Sequence, residues 1–290
     1  MKKANYRASG LRRSSSVYRR KILGQHFLAS KEVGDRIVES LGTLERVHVL
    51  EIGAGSGALT YKLADCAERL TALEVDPGLA CSLEEAFKKR DDVTISIQDV
   101  LEFDFPAWSR SCPPLVPVVV GNIPYRITSS LLHRLIDCHR ELGLVVLMLQ
   151  EEVARRLTAP AGRKPYGMLS VLASYYAEVR YLFSVERKNF RPQPRVDSAV
   201  VKLDFAKPYP RRAVDEKLFV SIVRRLFLER RKQVQKMLRK DPRFNLSTVA
   251  LERLSLDTGL DLTCRPEEIP VDRFVALADS LFRLKGEAKP

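Results

Sequence analysis

Short apolar runs of strand length alternate with helically spaced segments over the first two-thirds of the chain. Val47 to Ile52, Arg69 to Glu74, Val93 to Gln98, Val116 to Gly121 and Leu142 to Leu149 read as strands. Ala58 to Ala67, Leu79 to Lys88 and Thr128 to Cys138 carry helical spacing between them, and Glu151 to Leu157 follows the fifth strand. Two further strands are expected at Val179 to Val185 and Ala199 to Phe205. Strands separated by helices are βαβ units, so the pattern predicts an α/β fold with a mostly parallel sheet. Ala206 to Arg212, with Pro208 and Pro210, breaks the pattern and is taken as a domain boundary. Beyond it Leu218, Ile222 and Leu226, then Val234, Met237 and Leu238, recur at helical spacing. Residues 208–290 are therefore expected to form a small all-helical domain behind a body over 26–207. The chain shows no internal repeat.

Composition narrows the class. With 45% hydrophobic and 29% charged residues over 290 positions, the bulk of the chain is expected to fold around real cores. The longest apolar run, Leu142 to Leu149, contains Gly143 and falls well short of the roughly 18 residues of a membrane helix. No early stretch resembles a signal peptide. The cysteines Cys66, Cys81, Cys112, Cys138 and Cys264 are odd in number and scattered. That pattern argues against a disulfide framework or cysteine zinc site and for the reducing cytoplasm. His26, His48, His133 and His139 make no ligand spacing, so no metal is expected.

The net charge of +13 is unevenly placed. Residues 1–25 hold eight Lys and Arg and no acid, residues 26–207 are nearly neutral, and residues 208–290 hold 18 basic against 12 acidic side chains. A neutral body with basic ends suits a polyanion, because neutralised phosphates release counterions. Basic ends can also serve solubility alone. The acid-free start matches an organelle transit peptide in composition, yet it is short and meets a structured-looking segment by Lys21. Nucleic acid is the favoured partner.

The candidate chemistry sits at successive strand ends. The first strand runs into Glu51-Ile52-Gly53-Ala54-Gly55-Ser56-Gly57, a turn that lets a ligand approach the backbone. The third glycine comes one residue early for a dinucleotide fingerprint, and Glu51 is less typical of such a site. Glu74, closing the second strand, can accept both hydrogen bonds of a ribose diol. Asp99, after the third, can hold an adenine amino group with Val100 against the ring. Together they outline a nucleoside-shaped cleft for an adenosyl cofactor.

After the fourth strand comes Asn122-Ile123-Pro124-Tyr125. As a bland reading, this is a strand-ending turn. Its chemistry suits methyl transfer to an exocyclic amino nitrogen, a poor nucleophile whose lone pair is delocalised into the base. The Asn122 side-chain oxygen and the Ile123 carbonyl can accept the two N–H bonds, Tyr125 can stack on the ring, and Pro124 stiffens the loop. A sulfonium methyl donor is already activated, so alignment is the main requirement.

With these motifs in hand, the chain resembles the KsgA/RsmA-type small-subunit ribosomal RNA adenine N6-dimethyltransferases from Lys21 to about Leu281. The strings KILGQHFL, EIGAGSGALT, ALEVDP, QDVLEFD, GNIPY, QEEVARRL, KPYGMLSVL, FRPQPRVDSAVVKL, FLERRKQVQKML and RPEEIPVDRFVAL follow in family order. The resemblance implies a Rossmann-like S-adenosylmethionine-dependent methyltransferase sheet and a C-terminal helical domain. It also implies cofactor contacts from His26, Leu28, Gly53, Glu74, Asp99 and Asn122. The family usually carries Asn at position 26; a His there can still hydrogen-bond. Asn122, Ile123, Pro124 and Tyr125 match the catalytic loop, and Phe190 matches an aromatic that sandwiches the target adenine against Tyr125.

The implied substrate is a pair of adjacent adenosines in the 3′-terminal hairpin loop of small-subunit RNA, reached as loop bases or by flipping. Arg230, Arg231 and Lys232 are expected on phosphate, and the arm with Arg12, Arg13, Arg19, Arg20 and Lys21 to order on RNA. The partner is thus small-subunit rRNA or an immature small subunit, and nothing requires more than a monomer. An erythromycin-resistance methyltransferase acting on large-subunit RNA shares the cofactor motifs and loop. A non-catalytic assembly factor on the same fold and an NAD dehydrogenase are further alternatives, the last leaving Asn122 to Tyr125 unexplained.

Overall fold

The computed structural model describes residues 26–287; the basic arm expected to meet RNA lies outside the described residues. A seven-stranded sheet runs in the order β4-β3-β2-β5-β6-β9-β7, and β1 and β8 form a separate two-stranded ladder. In chain order the strands are β1 (Phe27–Leu28), β2 (Val47–Ile52), β3 (Arg69–Glu74), β4 (Val93–Ile97), β5 (Val116–Asn122), β6 (Leu144–Gln150), β7 (Glu178–Val185), β8 (Phe190–Arg191) and β9 (Ser198–Asp204). β2 pairs in parallel with β3 on one side and β5 on the other, and β3 with β4. All six residues of β2 are buried, as expected of a central parallel strand covered on both faces.

The chain winds outward from β2 through β3 to β4, then returns to place β5 on the opposite side of β2. That reversal opens a crevice between the carboxyl ends of β2 and β5, where open α/β sheets take ligands. Gly53 follows one strand and Asn122 ends the other, so the topology alone brings two expected site residues to one place.

Local sequence explains the helices that frame this edge. In α1 (Lys31–Ser40) Ser30 caps the first turn by accepting from Val33 N, and Val33 and Ile37 face the core at a spacing of four. Between β2 and β3 lies α2 (Thr60–Ala64), shorter than the helical spacing suggested. In α3 (Pro77–Phe87) Asp76 Oδ1 accepts from Gly78 N and Leu79 N, and Pro77 occupies the first turn. The remaining helices are α4 (Phe105–Arg110), α5 (Thr128–Asp137), α6 (Glu151–Leu157), α7 (Met168–Tyr176), α8 (Glu216–Leu228), α9 (Val234–Lys240), α10 (Thr248–Thr258) and α11 (Val271–Glu287).

The chain divides into two compact units, but not at the prolines. Among the described residues, one contains 26–134 with 146–150 and 184–200; the other takes 135–145, 151–183 and 201–287. Packing explains the difference. The Tyr175 ring of α7 stacks on Phe219 of α8 with centroids 4.1 Å apart, and the Arg212 guanidinium lies 4.0 Å over that same ring. Tyr166 Oη donates to Ile269 O at 2.9 Å. Residues 151–183 therefore share a core with the helical tail, and the backbone break at Pro208 and Pro210 is not a packing boundary. The buried face of α8 is Phe219, Ile222, Val223 and Leu226, with Phe219 taking the seat the spacing gave to Leu218.

Candidate active site

The first unit holds a cleft bordered by His26, Gly53, Gly55, Glu74, Asp99 and the loop Asn122 to Tyr125. Its floor is the glycine turn. Gly53 and Ala54 donate their N–H groups to Leu73 O at 2.9 and 3.0 Å, tying the turn to β3. Gly55 has φ +58°, and a Cβ there would lie 3.0 Å from the Phe27 ring, so both conformation and space call for glycine.

Glu74 is 2% exposed and pinned on both oxygens. Oε2 accepts from Gly55 N at 2.7 Å and Oε1 from Asp76 N at 2.9 Å. A carboxylate oxygen has two lone pairs, so the pinned group can still accept the two hydroxyls of a ribose diol. Asp99 has Oδ1 held by Leu101 N at 2.9 Å, and buried Val100 lines the cleft beside it. This is one acceptor and one apolar wall, the pair an adenine ring requires.

Beneath the turn lies Glu51, 2% exposed, whose Oε2 has no hydrogen-bond partner. Burial pushes its carboxyl up to about 7; the Thr60 hydroxyl nearby opposes the rise and the Glu74 charge adds to it. Glu51 does not border the cleft.

The opposite wall is the loop after β5. Ile123 N donates to Met148 O at 3.1 Å, fastening the loop to β6. Asn122 Nδ2 donates to the His26 carbonyl at 2.9 Å. A carbonyl can only accept, so this bond fixes the amide orientation and leaves Oδ1 as the acceptor available to a ligand. Tyr125 bonds Ser198 Oγ through its hydroxyl at 2.9 Å, and its ring stands 5.7 Å from the His26 ring. Burial raises its phenol further above the usual range, with Asp197 adding to the rise and the Ser198 bond opposing it. Tyr125 therefore stays protonated at neutral pH and offers a π-face rather than a base.

Not every expected residue faces the cleft. The His26 side chain borders it, but its Nδ1 is engaged by Pro192 O at 2.8 Å. Leu28 and Phe190 are partners in the β1–β8 ladder, 7% and 1% exposed, and neither is on the cleft wall. Phe190 is thus buried and paired through its backbone with Leu28, away from the cleft wall where the sandwich was expected. Arg230, Arg231 and Lys232 belong to the other unit. There Arg230 Nε donates to Glu267 at 3.0 Å and Lys232 pairs with Glu229, while Arg231 and Lys232 border a basic cleft with Lys236 and Arg265. Phe27, Pro192 and Ser198 acquire places at or behind the site with no role read for them in the sequence. Ser198 lay within the quoted PRVDSAVVKL string, but a serine opening an apolar strand carries no signal of its own.

Residues 18–263 match the model of the ribosomal RNA adenine dimethylase family. The chain belongs to that family. Among curated proteins, the ribosomal RNA small subunit methyltransferase A of Bacillus licheniformis is 36% identical over 267 residues, covering 90% of this chain and 91% of the relative. That of Chlorobium phaeobacteroides is 37% identical over 284 residues, covering 97% and 98%. Among solved structures, the 23S rRNA methyltransferase ErmE superposes with a TM-score of 0.69 at 27% identity, covering 88% of this chain and 99% of that one. A dimethyladenosine transferase from Plasmodium falciparum shares the fold with a TM-score of 0.67. As a ribosomal RNA adenine dimethylase, the protein is a methyltransferase that takes its methyl group from S-adenosylmethionine. The cleft fits that cofactor: a pinned carboxylate, a ring-sized apolar wall with an acceptor, and a backbone floor free of Cβ atoms at Gly53 and Gly55. Among the described residues no group of three or more His, Cys, Asp or Glu is arranged to hold a metal ion. Also among them, no helix is long and apolar enough to cross a membrane.

Proposed function

We propose that this dimethylase converts two adjacent adenosines in the 3′-terminal hairpin loop of small-subunit ribosomal RNA to N6,N6-dimethyladenosine. It works as a monomer in the cytoplasm, on the immature small subunit. The observation that carries the reading is the Asn122 amide: its nitrogen is committed to the His26 carbonyl at 2.9 Å, so its oxygen is left to accept in a cleft that Tyr125 also borders. An amide oxygen and a neighbouring main-chain carbonyl next to an aromatic face suit an exocyclic amino group on a stacked base.

S-adenosylmethionine supplies an electrophilic methyl on sulfur when bound. Glu74 and Asp99 hold its ribose and adenine, and the Gly53 turn admits the rest of the molecule against the backbone. Asn122 Oδ1 and the Ile123 carbonyl accept the two N–H bonds of the target nitrogen and turn its lone pair out of the base ring. Tyr125 stacks on the base. Held in line before reaction, the nitrogen needs no strong general base, and the protonated phenol of Tyr125 offers none. In the helical unit, Arg231 and Lys232 take RNA phosphates, and Arg230 joins them by exchanging Glu267 for phosphate.

The high coverage and identity to relatives named for the small subunit favour that substrate over large-subunit RNA. Purified protein and labelled S-adenosylmethionine, incubated with immature small subunits and separately with naked large-subunit RNA, test the assignment. Dimethyladenosine mapped to the 3′-terminal hairpin is the expected result. Label on large-subunit RNA alone makes the protein an enzyme of the erythromycin-resistance type, and label on neither makes it an assembly factor on this fold.

A further inference from the structure

Tyr125 and Ser198 are 73 positions apart in the chain, yet their hydroxyl oxygens lie 2.9 Å apart. Ser198 opens β9 and is 1% exposed, whereas the Tyr125 ring borders the cleft. A hydroxyl so deeply buried is costly to leave unpaired, so the bond binds both partners to one geometry. The His26 ring stands beside the same tyrosine at 5.7 Å. Tyr125 is thus held at its tip and along one side.

We propose that Ser198 is a positioning residue for methyl transfer, acting through the Tyr125 hydroxyl, and that it governs the second transfer to a given nitrogen more than the first. The inference rests on reading the cleft as an adenine N6 site. In each transfer the nitrogen lone pair forms the N–C bond as the S–C bond breaks. The sulfonium leaves as a neutral thioether, and the proton lost from nitrogen passes to water. Before the first transfer the nitrogen carries two N–H bonds, matched by Asn122 Oδ1 and the Ile123 carbonyl. Before the second it carries one. One of the two polar restraints has gone, and stacking on Tyr125 must supply a larger share of the alignment. A tyrosine free to rock is tolerable in the first case and damaging in the second.

Single-turnover methylation of immature small subunits, with mono- and dimethyladenosine counted separately, tests this on wild type, Ser198→Ala, Tyr125→Phe and the double variant. Ser198→Ala should slow the second transfer about 2- to 10-fold, the worth of one neutral hydrogen bond, and let monomethyladenosine accumulate. Adding Ser198→Ala to Tyr125→Phe should change neither rate further, and Ser198→Thr should restore the wild-type product ratio. Equal slowing of both transfers, or the same loss with and without the Tyr125 hydroxyl, overturns the proposal. Fluorotyrosine NMR gives a readout independent of activity, with the Tyr125 signal assigned by its absence in Tyr125→Phe. Ser198→Ala should shift and broaden that signal, and an unchanged signal overturns the proposal. If the wild type methylates no adenosine, the functional reading has failed, and the NMR result still decides whether Ser198 seats Tyr125.

Discussion

Replacing Glu51 by Gln should change how stability depends on pH by an amount the structure sets. The Glu51 carboxyl is buried next to the Glu74 charge and titrates near 7 in the fold, against an ordinary 4.5. Between those values the folded chain keeps a proton that the unfolded chain has released. Folding therefore takes up a proton, and wild-type stability falls as pH rises from about 4.5 to about 7, then levels off. At about 1.4 kcal/mol per pH unit, the gap corresponds to roughly 3 kcal/mol. Gln has the same shape and does not titrate; whatever its amide costs in that pocket is the same at every pH. Urea unfolding followed by circular dichroism at intervals from pH 4.5 to 8, on both proteins, isolates the contribution because every other titrating group is shared. The stability of Glu51→Gln relative to wild type should rise by about 3 kcal/mol across the range, seen in melting as roughly 6–12 °C of relative gain. A difference that stays flat would show that Glu51 is not a buried acid of raised affinity for protons.

Four other outcomes are expected. Asn122→Ala and Tyr125→Ala should each abolish methyl transfer in a chain that still unfolds cooperatively in urea, with stability lowered by about 1–3 kcal/mol for the hydrogen bond each loses to His26 O or Ser198; retained turnover would remove them from the reaction. Glu74→Gln should weaken S-adenosylmethionine binding in calorimetry by about ten- to a hundredfold, the scale of hydrogen bonds to a charged acceptor. Gly55→Ala should cost about 1–2 kcal/mol of stability, because φ is +58° and the added methyl meets Phe27 at 3.0 Å, and should lower cofactor affinity with it. Neutralising Arg230, Arg231 and Lys232 together should reduce the slope of log affinity for RNA against log salt by about two, and an unaltered slope would return these cations to solvent.

What could be read from the residues follows from how each element is stabilised. The central strands were legible because burial on both faces demands apolar runs: Val47–Ile52 is buried throughout, and its bounds match the expectation. Glu74, Asp99 and Asn122 were legible because a strand end fixes a residue's place in a parallel sheet. The β1–β8 ladder was not, since two-residue strands have no periodicity and their pairing joins Phe27 to Arg191 across most of the chain. Phe190, in that ladder, is buried rather than on the cleft wall. α1 also escaped notice: its apolar face is narrow, at Val33 and Ile37, between charged neighbours. The unit boundary was misplaced for a different reason. Prolines report where a backbone bends, whereas membership of a core is decided by contacts such as Tyr175 on Phe219, which no local pattern encodes.

The bonds that finish the methyl-transfer cleft are long in sequence: Asn122 to His26 spans 96 positions, Tyr125 to Ser198 spans 73, and His26 to Pro192 spans 166. A nascent chain can build its glycine turn and pin Glu74 as soon as β3 has emerged, because that contact spans only 19 positions. The seat of the tyrosine and the fastening of the N-terminal segment must wait until residues 190–198 have been made. A chain released early would carry the glycine floor of the cleft without its opposite wall. The order of synthesis thus withholds the finished cleft until about two-thirds of the protein exists.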